Sequence, residues 1–255
     1  MIRSIIKRLI PKPYRQRLRR MRRQFRDFHY LKWHKPILVY HMGKVGSTSV
    51  YVSLLACGVK AVQLSGIKPA YMREFAGKGR INIITLVREP IGRTISWFFE
   101  NFDRLTGVAY DQATCDLAAL SKTFLSLEKA WKPSPWFDEV MKEALGVDVY
   151  DYPFPQEQGS CVIETEDYRI LILKLELNDA IKEEVISDFL NLSDFKLIRS
   201  NVTQDKAYAE TYQAFIQTIR LSEAYVEGMC NDKYTRHFYG DAEIEAIRSK
   251  WLRRD

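Results

Sequence analysis

Histidine and cysteine are scarce, with four of each in 255 residues. His29, His34, His41 and His237 are as scattered as Cys57, Cys115, Cys161 and Cys230, and no C-x-x-C occurs. Metal sites built from these residues need ligands at short, recurring spacings, so no metal is expected. The isolated cysteines point instead to a reducing, cytoplasmic setting. Long apolar runs are also missing. Ile5-Ile6 and Leu9-Ile10 are interrupted by Lys7 and Arg8, which leaves neither a signal-peptide core nor a membrane span. No glycine/serine linker, internal repeat or low-complexity tract divides the chain, and 46% hydrophobic residues are ample for one core.

Charge is uneven. Residues 1–35 carry thirteen Lys and Arg against Asp27, a net of +12, which leaves the remaining residues at −5 of the total +7. The division is therefore a basic, partly helical arm (1–35) and an acidic body (36–255). With Ile2, Ile5, Ile6, Leu9 and Ile10 on one side, the arm fits an anionic membrane surface, a solvated tail or nucleic acid. The acidic body argues against nucleic acid as the main substrate.

The body opens on KPILVYHMGKVGSTSVYVSLL, residues 35–55. An apolar run ends in the turn Gly43-Lys44-Val45-Gly46, and Ser47, Thr48 and Ser49 then open an amphipathic helix. A helix N-terminus offers unpaired N–H groups and a positive dipole end, and glycines let the backbone approach a ligand, so the turn suits a phosphate or sulfate. A bare Ser47 helix cap is the simpler alternative. The lysine precedes the second glycine, which is the wrong order for a nucleotide-triphosphate loop.

A second segment carries compatible chemistry. NIITLV (82–87) is a short, largely apolar and β-branched run expected to form a buried parallel strand, followed by Arg88-Glu89-Pro90 and a helix with Ile91, Ile95, Phe98 and Phe102 inward. Arg88 then falls at a strand's carboxyl end, where open α/β sheets bind ligands. Arg93 and Ser96, three apart, share a helix face.

Lysine, spacer, glycine and Ser-Thr resembles the 5′-phosphosulfate loop of sulfotransferases that use 3′-phosphoadenosine 5′-phosphosulfate (PAPS). R-E-P-x-x-R-x-x-S resembles their 3′-phosphate motif, with Arg88 and Ser96 matching its arginine and serine, and Arg93 an additional arginine of carbohydrate-modifying members. SPWFDEVMKEALGVDVYDYPF, YRILILKLE and KYTRHFYGDAEIEAIRSKW are similar to a bacterial branch associated with capsular polysaccharide synthesis. The resemblance implies PAPS as donor, a hydroxyl acceptor of carbohydrate class and no metal. It implies a donor site of Gly43, Lys44, Val45, Gly46, Ser47, Thr48, Ser49, Arg88 and Ser96, with Lys44 also catalytic. Many relatives carry a histidine base on the second strand, but VKAVQLSG contains none. Glu74, on the next helix, is the expected base by position, with Asp138, Glu139 and His41 as alternatives.

The expected elements are strands 36–41, 59–64, 81–87, 161–164 and 168–175. Helices are expected at 47–57, 68–77, 90–102, through 114–145, and at 178–190, 204–227 and 241–252. Alternating units of this kind require a mainly parallel sheet covered on both faces. The expected fold is a P-loop-like, three-layer α/β sandwich with a helical C-terminal cap. Aromatic residues in Trp131 to Phe154 fit either an acceptor wall or core. Two other functions remain open at this level: a kinase or NTPase with a variant phosphate loop, and a non-catalytic membrane-surface adaptor.

Overall fold

The computed structural model describes residues 35–67, 69–76, 79–107, 110, 116–127, 135–200 and 208–252. The basic arm apart from Lys35, with His29 and His34, lies outside the described residues, as do Cys115, Trp131 and parts of the helices expected at 114–145 and 204–227.

The first half alternates strand and helix: β1 (Ile37–Tyr40), α1 (Ser47–Ala56), β2 (Ala61–Leu64), α2 (Pro69–Ala76), β3 (Ile81–Val87) and α3 (Pro90–Glu100). Then come α4 (Phe102–Thr106), α5 (Leu117–Leu127), a π-helix (Trp136–Lys142) that continues as a helical turn (Glu143–Leu145), and a 3₁₀ turn (Val149–Asp151). β4 (Ser160–Glu164) and β5 (Tyr168–Lys174) complete the sheet, followed by α6 (Asp179–Leu190), α7 (Ala209–Thr218), α8 (Glu223–Cys230), α9 (Lys233–Phe238) and α10 (Asp241–Trp251).

The strands form one sheet in the order β2-β1-β3-β5-β4. The first four in that order run parallel, and β4 pairs antiparallel along the outer edge of β5. The fold is a three-layer α/β sandwich with a helical cap. β3 and β5 are mostly apolar at their centres because helices cover both faces, and Ile83, Ile84, Ile170 and Leu171 are fully buried, as is Thr85. Edge strand β4 instead leaves Val162 44% exposed.

Topology marks where a ligand would be expected. The chain leaves β1 toward β2 on one side, then returns past β1 to lay β3 on the other. Strand order reverses between β1 and β3, and crevices for ligands open beyond the carboxyl ends of strands at such a point. His41 follows β1 there, and Arg88 follows β3.

One local expectation is corrected. The helix expected over 204–227 is broken: Ile219 turns extended (ψ 132°), and Ser222 caps a new helix by accepting the Tyr225 N–H. A further short helix, α9, starts where Asp232 accepts the Tyr234 N–H. Of the aromatics between 136 and 154, Phe137 and Phe154 are buried against Phe238, whereas Trp136, Tyr150 and Tyr152 are half-buried where they pack on the core.

Candidate functional site

The turn between β1 and α1 carries an unusual backbone. Gly43, Lys44 and Gly46 all have positive φ, at 85°, 61° and 76°. For a lysine this region is sterically disfavoured, so surrounding contacts must hold it there. They are supplied by two arginines. Arg93 donates to the Met42 carbonyl (2.9 Å) and the Gly43 carbonyl (3.2 Å), and Arg88 donates to the Lys44 carbonyl (3.0 Å). At Gly46 a Cβ would stand 2.5 Å from Leu175 Cδ1, so glycine answers both the dihedral and the close approach of the β5 end. From the other side, the Gly43 N–H donates to His41 Nδ1 (3.0 Å).

Arg93 is thus part of the loop's scaffold, and burial opposes its charge, lowering its pKa. Burial also lowers the His41 pKa from 6.5 to about 4, so its imidazole is neutral at pH 7. Its Nδ1 accepts a hydrogen bond, which places the ring proton on Nε2. His41 therefore braces the turn.

The start of α1 has no side-chain cap and no acidic residue in its first turn. Gly46, not Ser47, is the N-cap residue. Ser47 and Thr48 instead present their hydroxyl oxygens to Gln63 at the end of β2, whose Nε2 donates to both (3.0 and 3.3 Å). A hydroxyl that accepts from an amide keeps its own proton to donate elsewhere. No sequence pattern marks Gln63, which stands on the second strand, where no histidine occurs. Ser49 is engaged otherwise: its N–H donates to the Gly46 carbonyl, and its hydroxyl both donates to and accepts from the Ser200 backbone (3.1 Å each).

Arg88 is half-buried at the end of β3, in the expected position. Its backbone N–H and carbonyl are both bonded by the Tyr234 hydroxyl (2.8 and 2.9 Å). Glu89 caps α3, accepting from Ile91 N (2.9 Å) and Gly92 N (2.8 Å), and also accepts the Trp251 indole N–H (3.0 Å). Burial pushes the Glu89 carboxyl up, with Lys250 acting against it. Ser96 is buried one turn beyond Arg93 on the same helix. The cap helices α9 and α10 thus fix the strand end from which Arg88 projects, and only the fold reveals it.

Lys44 Nζ lies 3.2 Å from Glu100 Oε2, and that same oxygen accepts the Tyr208 hydroxyl at 3.0 Å. The other carboxylates are dispersed. Glu74 is exposed on α2, Glu139 is exposed on the π-helix, and Asp138 pairs with Lys233 at 3.2 Å. The π-helix itself packs over the end of β1, where Trp136 and Tyr40 rings lie 5.1 Å apart and the indole N–H donates to Ser65 O. Among the described residues no group of His, Cys, Asp or Glu is placed to hold a metal ion. No described helix is long and apolar enough to cross a membrane.

Residues 122–240 match the family described as "Putative capsular polysaccharide synthesis protein". The matched region runs from within α5 to the end of α9, so it includes Tyr234 but not the 43–49 loop or Arg88. No curated protein and no solved structure matches the chain.

Proposed function

We propose that this protein transfers a sulfuryl group from PAPS to a hydroxyl, with a carbohydrate as the acceptor class. The observation that carries the reading is the meeting, beyond the carboxyl ends of β1 and β3, of two segments whose chemistry suits anions. The uncapped start of α1 follows β1, Arg88 follows β3, and an Arg88–Lys44 hydrogen bond of 3.0 Å joins them. A donor with phosphates at both its 5′ and 3′ positions asks for two such sites side by side. The similarity to a capsular polysaccharide family supports the acceptor class.

In this reading, the N–H groups at 45–48 and the Ser47 and Thr48 hydroxyls hold the 5′-phosphate, while Arg88 and Ser96 hold the 3′-phosphate. The acceptor oxygen forms a bond to sulfur as the bond from sulfur to the 5′-phosphate oxygen breaks. The leaving adenosine 3′,5′-bisphosphate takes the electron pair, and Lys44 neutralises the charge growing on that oxygen. The acceptor proton passes to a base, for which Glu74 remains a positional candidate. The cytoplasmic setting and an anionic-membrane contact through residues 1–35 belong to the same proposal.

Isothermal titration with adenosine 3′,5′-bisphosphate, against ATP with magnesium, tests it. Preference for the bisphosphate is expected. Preference for magnesium-ATP would instead support a kinase or NTPase, and binding of neither would leave the adaptor reading.

A further inference from the structure

Helix α3 meets the loop twice. Arg93, Ser96 and Glu100 recur at spacings of three and four, so they share one face of the helix. Arg93 grips the loop's backbone at Met42 and Gly43, and Glu100, at the last position of the helix, reaches the loop's only ammonium. A carboxylate at a helix C-terminus opposes the negative end of the helix dipole, so helix electrostatics do not explain a glutamate there. Nor does ion pairing for its own sake, since partly exposed pairs contribute little to folding. The Lys44 and Glu100 side chains are 17% and 38% exposed. Yet Glu100 is held in place, because Tyr208 at the start of α7 donates to the same oxygen that meets Lys44.

We propose that Glu100 is a positioning residue that competes with anionic ligands for Lys44. Its carboxylate orients the ammonium at the loop's mouth, and a ligand's phosphate or sulfate must draw the ammonium from Glu100 to use it. The Lys44 backbone, fixed at positive φ by Arg88, directs the side chain between these two partners. One consequence has an uncommon sign. Removing the Glu100 charge strengthens anion binding, whereas loss of a merely structural contact would weaken it. The choice of ligand rests on the donor reading above, but the Lys44–Glu100 relation does not.

The test uses Glu100→Gln in the full chain, because glutamine keeps an oxygen for Tyr208 while losing the charge. Titration with adenosine 3′,5′-bisphosphate should show affinity rising about two- to fivefold, the range of a partly exposed ion pair. Separately, Lys44 acetylation by an N-hydroxysuccinimide ester, quantified by mass spectrometry, should quicken severalfold, since an ion-paired amine stays protonated and unreactive. Lys196, paired with Glu183 at 2.8 Å, serves as the internal reference and should not change. Equal or weaker bisphosphate binding by the variant would overturn the proposal, as would an unchanged Lys44 labelling rate. A wild-type protein that binds no bisphosphate would sink the donor reading alone, and the labelling rates would still decide the role of Glu100.

Discussion

The Tyr234 hydroxyl closes both backbone groups of Arg88, accepting its N–H at 2.8 Å and donating to its carbonyl at 2.9 Å. Tyr234 is fully buried, and burial holds its phenol far above its ordinary pKa, so it stays a neutral donor and acceptor. It satisfies the backbone groups just past the carboxyl end of β3 and leaves the arginine side chain free of that contact. Tyr234→Phe keeps the ring and removes both bonds. It should lower stability by about 1–3 kcal/mol in urea unfolding with an unchanged m-value. Full stability would mean that these backbone groups find other partners.

Arg88 has a second task that shapes the outcome of removing it. Because it also holds the Lys44 carbonyl, Arg88→Ala should weaken adenosine 5′-phosphate modestly by loosening the loop. Adenosine 3′,5′-bisphosphate should suffer more, by roughly ten- to a hundredfold, if the arginine meets the 3′-phosphate. Calorimetry with both ligands measures the difference. Equal losses would leave Arg88 as a brace of the loop and remove it from the 3′ site.

Gln63 sets the direction of the two loop hydroxyls by donating to Ser47 and Thr48. Gln63→Met should cost a few-fold in bisphosphate affinity, because the hydroxyls are no longer oriented. Gln63→Glu should cost more than about tenfold, since a carboxylate would accept their protons and repel the ligand as well. A glutamate variant that binds as tightly as the wild type would separate these hydroxyls from the anion site.

Gly92 follows from the cap of α3. A Cβ there would lie 2.5 Å from Glu89 Oε2, the oxygen that accepts the Gly92 N–H. Gly92→Ala gains helix propensity but must push the capping carboxylate aside, so a net loss of about 1 kcal/mol is expected. Thermal unfolding of the variant would decide the sign, and a raised Tm would show that Glu89 can shift without cost.

The parallel body was legible because its strands are short apolar runs and its turns carry glycine or proline. The seven residues Ile81–Val87 and Pro90 at the first turn of α3 are local signals, and strand and helix begin at these residues. What stayed hidden depends on contacts across long separations. Nothing near Tyr234 in sequence announces Arg88, 146 positions away, and nothing near Glu100 announces Lys44 or Tyr208. Gln63 escaped for a different reason. A lone glutamine in a strand has no pattern, and its partners Ser47 and Thr48 lie on another element. The break before α8 did have a local signal, Ser222 ahead of Glu223, but the apolar period on either side concealed it.

The His41 brace makes stability depend on pH in a defined window. Burial lowers its folded pKa from 6.5 to about 4, so the native protein resists a proton that the unfolded chain accepts. Between those values the unfolded state binds more protons, and linkage then requires stability to fall as pH falls. The contribution is complete above about pH 6.5 and reaches a loss of about 3 kcal/mol at most near the folded value. His237 is shifted the same way, by burial and by Lys233, so the wild-type slope has a second source. His41→Asn separates the two. The asparagine carbonyl can accept the Gly43 N–H as Nδ1 does, but it cannot titrate. Urea unfolding at intervals from pH 7.5 to 4 should give the variant a shallower decline than the wild type, the gap opening below pH 6.5. Parallel curves for the two proteins would show that His41 takes up its proton in the folded state without penalty.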